Sequence, residues 1–186
     1  MIQTPRLTLR TWHEDHRSPF AAMHADREVM ADQGGPIDRA ASDAKFDRYL
    51  AAYLDHGTSR WAVEDAAGLF LGYVGVMPRL APTHPLGPHH EIGWRFTRSA
   101  WGHGFVTEGA RAALAHAFRH LSLDEILSYT SADNRRSQSV MARLDLRRAP
   151  SRDFVVEDER AGRWHGLVWV ASRSATAPAS AQGYST

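Results

Sequence analysis

Residues 6–10 alternate polar and apolar side chains, and a two-residue period marks a strand with one buried face. Residues 14–30 carry a broken helical pattern that stops at Gly34-Gly35-Pro36. Phe46, Tyr49, Leu50, Tyr53 and Leu54 then fall at i, i+3, i+4, i+7 and i+8, one apolar stripe on a helix that Gly57 ends. Residues 61–64 and 69–77 read as two strands joined by a turn at Asp65-Ala66-Ala67-Gly68. Gly72 and Gly75 inside the second strand predict a bulge or the close approach of another backbone. The four prolines of residues 78–88 predict a long irregular loop, a kind of segment that often carries specificity. Residues 89–97 are again strand-like and run directly into Trp101-Gly102-His103-Gly104-Phe105-Val106-Thr107-Glu108.

Beyond that stretch, Ala110, Ala113, Leu114, Ala117, Phe118 and Leu121 form the cleanest helical stripe in the chain, with Thr107 as a first-turn hydroxyl. Residues 125–130 predict a strand. Asp133-Asn134 is an N-cap pair for a short helix carrying Val140, Met141 and Leu144. Two further strands, 153–157 and 163–171, flank a turn near Ala161-Gly162. Residues 174–186 are small, polar and aperiodic, which predicts a disordered tail behind a single domain at 1–173. The order of elements is that of a mixed α/β chain with a strand-turn-helix unit at its centre.

Composition narrows the classes. The chain has 186 residues, 43% hydrophobic and 23% charged, enough for one domain with a sizeable core. A formal net charge of +1 gives no reason to expect nucleic acid or a membrane surface as partner. Cysteine is absent, which excludes disulfides, thiolate metal sites and cysteine nucleophiles. With no signal pattern in residues 1–6 and no apolar run of membrane-spanning length, the expected location is cytoplasmic. Among the eleven histidines, His84, His89 and His90 stand close together, but without the carboxylate-histidine spacing of a hydrolytic zinc site; no metal is expected.

The central unit carries the chemistry. Two glycines spaced by one residue let the main chain curl and approach a ligand, and the following helix offers unpaired first-turn N–H groups and the positive end of its dipole. Such a turn is suited to an anion. Main-chain binding leaves Phe105 and Val106 free to be apolar. Arg98, Arg135, Arg136 and Arg143 lie near enough in sequence for one of them to reach a phosphate.

Taken together, Glu91-Ile92-Gly93-Trp94, then residues 101–108, then Asn134-x-x-Ser137 resemble the GNAT acetyltransferases, and within them the branch of ribosomal-protein N-terminal acetyltransferases. The likeness runs from about Thr4 to about Ser172. It implies a mixed α/β fold: a mostly antiparallel sheet with one parallel, splayed strand pair, flanked by helices. It also implies acetyl-CoA as cosubstrate, held by Phe96, Thr97, Trp101, Gly102, His103, Gly104, Phe105, Val106, Thr107 and Asn134. In place of the family's usual Leu-Gly-Phe stands Leu144-Asp145-Leu146, which puts a non-glycine residue where the chain normally turns.

Acetyl transfer to an amine needs a neutral nucleophile, and an α-amino group with a pKa of about 8 must lose a proton first. Glu91 is the candidate base: it shares a strand face with Gly93, and burial beside aromatic residues is expected to raise its pKa. The competing reading is a strand glutamate paired with an arginine. His90 points to the other face and is the weaker base candidate. Ser137 is the candidate proton donor to the leaving thiolate, or simply a first-turn serine; Asn134 is read as both helix cap and cofactor ligand. The acceptor is expected to be a small-molecule amine or a protein N-terminus, shaped by residues 14–56 and 78–88, and Trp164-His165 either edges the same pocket or is a packed tryptophan beside an exposed histidine. Strand edges and the Trp-rich C-terminal segment leave a homodimer open. A non-catalytic acyl-CoA-binding or interaction module on the same scaffold is the alternative function.

Overall fold

A computed structural model of the chain describes residues 1–158 and 162–173. The predicted tail at 174–186 and Ala161 of the last turn lie outside the described residues. In chain order the elements are β1 (Ile2–Gln3), β2 (Leu7–Arg10), α1 (Arg17–Ala25), α2 (Arg39–His56), β3 (Arg60–Asp65), β4 (Phe70–Arg79) and β5 (His89–Phe96). Then follow α3 (Phe105–His120), β6 (Glu125–Thr130), α4 (Arg135–Arg143), β7 (Arg147–Arg148), β8 (Phe154–Asp158) and β9 (Gly162–Ser172). The strands are ordered β1-β2-β3-β4-β5-β6-β9-β7, with β8 paired to β9. Every pairing is antiparallel except β5 with β6, which run parallel and meet at one register pair, Glu91 opposite Leu127.

Period-2 alternation sorts the two sides of this sheet. Trp61, Val63, Val74 and Val76 pack with Ala110, Ala113, Leu114 and Ala117 of α3, while Ala62, Tyr73 and Met77 pack with Phe20, Phe46 and Tyr49 of α1 and α2. Strands buried on both faces have no room for polar alternation. The phase changes at the predicted bulge: Val63 faces Gly72, Glu64 faces Phe70, and Leu71 is the extra residue. Glycine is required there because a Cβ on Gly72, at φ 147°, would lie 2.3 Å from the Arg95 carbonyl oxygen; at Gly75 it would lie 2.2 Å from that of Ser59.

Three expectations shift. Leu54 is exposed, and α2 buries Phe46, Tyr49 and Ala52 instead, with Leu50 and Tyr53 only half-buried. Pro78 belongs to β4, opposite His90, because β3 ends its pairing at Gly75 and leaves that part of β4 with one neighbour, where a missing N–H costs nothing. The irregular loop therefore begins after Arg79. Asp145 adopts φ 59°. Its N–H donates to the Ala142 carbonyl at 3.1 Å and that of Leu146 to Met141 at 3.1 Å, the paired bonds of a left-handed helix stop with Leu146 and Met141 both in the core. The turn survives the loss of the family glycine.

A non-glycine residue held left-handed costs about 1 kcal/mol or more, partly offset by the extra freedom glycine has when unfolded. Asp145→Gly is therefore expected to stabilise the fold by about 0.5 kcal/mol and raise the melting temperature by about 1–2 °C, read by calorimetry. A second prediction concerns His24, fully buried, with Nδ1 bonded to the Phe20 carbonyl at 2.9 Å and Nε2 unpartnered among the described residues. Burial, reinforced by the Lys45 charge, pushes its pKa down to about 3. The unfolded chain takes up that proton near pH 6.5 and the folded chain does not, so stability falls as pH drops below 6.5, by at most about 1.4 kcal/mol per pH unit. Denaturant titrations at pH 7.0 and 5.5 should show that loss in the parent and a flatter profile in His24→Leu.

Candidate active site

Two cavities open where β5 and β6 part. After Glu91 and Leu127 the strands share no further ladder pair, and the Ser128 hydroxyl, donating to the Ile92 carbonyl at 3.0 Å, is the next link between them. The larger cavity, about 1560 Å³, runs along the end of β5 and the N-termini of α3 and α4. Gly104 is the N-cap of α3, with φ 77°, and Gly102 has φ 80°; no side chain caps the helix. The first helical bond runs from the Glu108 N–H to the Gly104 carbonyl at 3.1 Å, so the amides of Phe105, Val106 and Thr107 have no partner within the helix. Glu108, an anion in that first turn, would repel a phosphate. It is neutralised by the Arg6 guanidinium at 2.6 Å and accepts from the Thr4 hydroxyl at 2.6 Å. Arg6 also donates to the His103 carbonyl at 2.9 Å, bracing the loop from outside.

Trp94, Phe96, Trp101, His103 and Asn134 line this cleft with the glycine loop, and Arg111, Arg135, Arg136 and Arg143 lend it positive charge. Arg98, by contrast, pairs with Glu28 at 2.9 Å and is off the wall. Thr97 is off it too; its amide and hydroxyl both donate to the Leu71 carbonyl. Asn134 caps α4 by accepting from the Ser137 N–H at 3.1 Å, and its Nδ2 donates to Asp32 at 3.1 Å. A glycine loop, an uncapped helix start and four arginines fit a long ligand with a diphosphate near its middle.

The smaller cavity, about 250 Å³, lies on the other side of the parting strands and shares Asp32, Trp94, Arg95 and Ser137 with the cleft. Glu91 is buried in its wall. One carboxylate oxygen meets Arg60 at 3.0 Å and the other meets Arg79 at 2.5 Å. Arg60 reaches it because Gly93 has no side chain: a Cβ there would lie 2.7 Å from the guanidinium. From the same position Arg60 donates to the carbonyls of Gly75 and Glu91, tying β4 to β5. Burial alone would push the Glu91 carboxyl up, but the Arg60 and Arg79 charges, with hydrogen bonds from Arg79 and Tyr129, hold it below the usual carboxylate range. This corrects the expected rise: sequence spacing placed Glu91 in an apolar setting, whereas the fold brings two arginines to it.

Other residues of the site were not foreseen. Arg60, Arg79, Arg95, Lys45, Asp32 and Tyr129 all line the small cavity, each contributed by a different element. Only Arg79, two positions from the register partner of Glu91, had a local signal, and it required the hairpin register to be known. Trp164 does stand on the wall. His90 is on neither wall, and His84 and His89 pack with Tyr129 and Phe154 in an aromatic cluster. Among the described residues no group of three histidine or acidic side chains is placed to hold a metal ion, and no helix is long and apolar enough to cross a membrane.

Comparison with known proteins gives the same cleft a family. The chain is 27% identical over 147 residues to the uncharacterized protein YkkB of Bacillus subtilis, covering 78% of this chain and 84% of that one. It is 30% identical over 152 residues to FsC-acetyl coenzyme A-N(2)-transacetylase of Aspergillus fumigatus, covering 78% of this chain and 64% of that one. An acetyltransferase crystal structure from Agrobacterium tumefaciens superimposes with a TM-score of 0.75 at 25% identity, over 91% of this chain and 92% of that one. The fold is also that of the spermidine N-acetyltransferase of Vibrio cholerae solved with CoA and spermine, at a TM-score of 0.73 and 19% identity, over 93% of this chain and 99% of that one. Residues 6–147 match the model of the acetyltransferase (GNAT) domain, and the chain therefore belongs to the GNAT acetyltransferases, N-acetyltransferases that use acetyl-CoA.

Proposed function

We propose that the protein passes an acetyl group directly from acetyl-CoA to a small primary amine within a ternary complex. The observation that carries this reading is the meeting of the two cavities at Trp94, Arg95, Asp32 and Ser137, which puts a donor cleft and an acceptor cavity end to end. Acetyl-CoA supplies the thioester; the chain's own residues hold it, order the amine and move protons. Gly102 to Thr107 and Asn134 form the binding set. The absence of cysteine supports direct transfer, since no thiol is available for an acyl relay. That two similar proteins are named as acetyltransferases of amines supports an amine as acceptor. Placement in the ribosomal-protein N-terminal branch rests on the order of the three motifs alone.

Glu91 receives the amine proton through water in this reading. Its basicity is low, but the same cationic wall that depresses it also pushes down the pKa of an incoming ammonium, so the difference the transfer must overcome narrows. Ser137, on both walls and with no hydrogen-bond partner for its hydroxyl among the described residues, is free to donate to the departing thiolate.

Acetyl-CoA at a hundred times its dissociation constant is expected to add about 2.7 kcal/mol of stability. A melting temperature that does not respond to acetyl-CoA would refute the donor site, and Gly104→Val, which places a branched side chain at left-handed φ, should weaken binding tenfold or more by titration calorimetry. Glu91→Gln is expected to lower kcat/KM at pH 7 by about a hundredfold, with the residual activity climbing as pH rises and hydroxide takes over the proton. If Glu91 only anchors Arg60 and Arg79, the variant will raise KM and keep the parent's pH profile.

A further inference from the structure

The charges on the acceptor cavity do not match a polyamine. Five cationic side chains, Lys45, Arg48, Arg60, Arg79 and Arg95, line it against two carboxylates, Asp32 and Glu91. Both carboxylates are already used. Glu91 is shared by Arg60 and Arg79, and Asp32 takes Arg95 at 2.8 Å and 3.1 Å while also accepting from Asn134. Lys45 and Arg48, one helical turn apart on α2, have no carboxylate partner among the described residues. The excess is local, because the whole chain carries only +1.

Lys45 is the only lysine in the chain. It is half-buried and shares the cavity wall with Tyr49, Arg48, Arg60 and Arg95. Burial, with those like charges, pushes its ammonium below the ordinary lysine range. A cation partly withdrawn from water without a counter-ion is costly unless a ligand supplies one. Polyamines would bring further positive charge into the same space, and like charges that close are strongly unfavourable at low dielectric.

Building on the acetyltransferase reading, we propose that the acceptor is a small primary amine bearing a carboxylate, an amino-acid-like molecule whose carboxylate is received by Lys45 and Arg48. The volume of about 250 Å³ suits a molecule of that size. Tyr49, Tyr73, Tyr129 and Trp164 on the same wall offer aromatic surface to its side chain. Transfer then balances simply: the amine nitrogen forms the amide bond, the thioester C–S bond breaks, the amine proton leaves through water toward Glu91, and the thiolate leaves protonated as CoA thiol.

The test compares matched pairs, each of phenylalanine, methionine and glutamate with its C-terminal amide, alongside spermidine. Each is titrated calorimetrically into CoA-saturated protein and assayed for thiol release with acetyl-CoA. The acids are expected to bind and react at least tenfold better than their amides, and spermidine less well than either. In Lys45→Met and Arg48→Gln the acid-to-amide ratio of kcat/KM should fall to within threefold of one; Arg48 is exposed on α2, so its variant reads the effect even if Lys45→Met fails to fold. Equal or better use of the amides or spermidine, an unchanged ratio in both variants, or no binding of any acid overturns the proposal. Preferential binding of the acids without thiol release supports acid recognition and overturns the transferase reading instead.

Discussion

Glu91 meets two structural demands in one place. Its backbone makes the single register pair between β5 and β6, and among the described residues its side chain is the one carboxylate paired with both Arg60 and Arg79. Removing that carboxylate would be strongly destabilising, because it would leave the buried Arg60 guanidinium, with the partly exposed Arg79 beside it, uncompensated. The two roles act together. Arg60, drawn in by Glu91, ties the carbonyls of β4 and β5, and the rigid pair of strands then parts from β6 at a defined point. Both cavities begin at that point.

Small residues make this arrangement possible. Gly93 clears the path of Arg60, while Gly72 and Gly75 let neighbouring backbones lie against β4. At the other end of β5, Gly102 and Gly104 turn the chain so that α3 starts with its first amides unpaired within the helix, and Arg6 neutralises Glu108, the acidic residue of that first turn. The glycine-loop end of the larger cleft is thus built mostly from main chain and the smaller cavity mostly from charged side chains. In the proposed function, selectivity would follow from that difference: backbone donors recognise a common cosubstrate, and side-chain charges set which amine enters.

Much of the fold was legible because its elements are locally specified. The strand at 125–130 and the helix carrying Ala110 to Phe118 have strong periodicity and clear boundaries, and both were read as they stand. Asn134 capping α4 was likewise a local matter of one side chain and one N–H. Where neighbours decide, local reading misled: Leu54 fits the helical stripe yet faces solvent, and Pro78 sits in a strand because β4 has only one partner there.

The sequence by itself determined the glycine loop before α3 and the Asn134-capped start of α4, since turn geometry and helix ends are encoded within a few positions of each other. The tertiary structure alone decided the direction in which the Glu91 carboxyl is shifted and the charge of the smaller cavity. Lys45, Arg60, Arg79, Asp32 and Arg95 come from distant parts of the chain, and electrostatic interactions depend on separations in space that no spacing in sequence records.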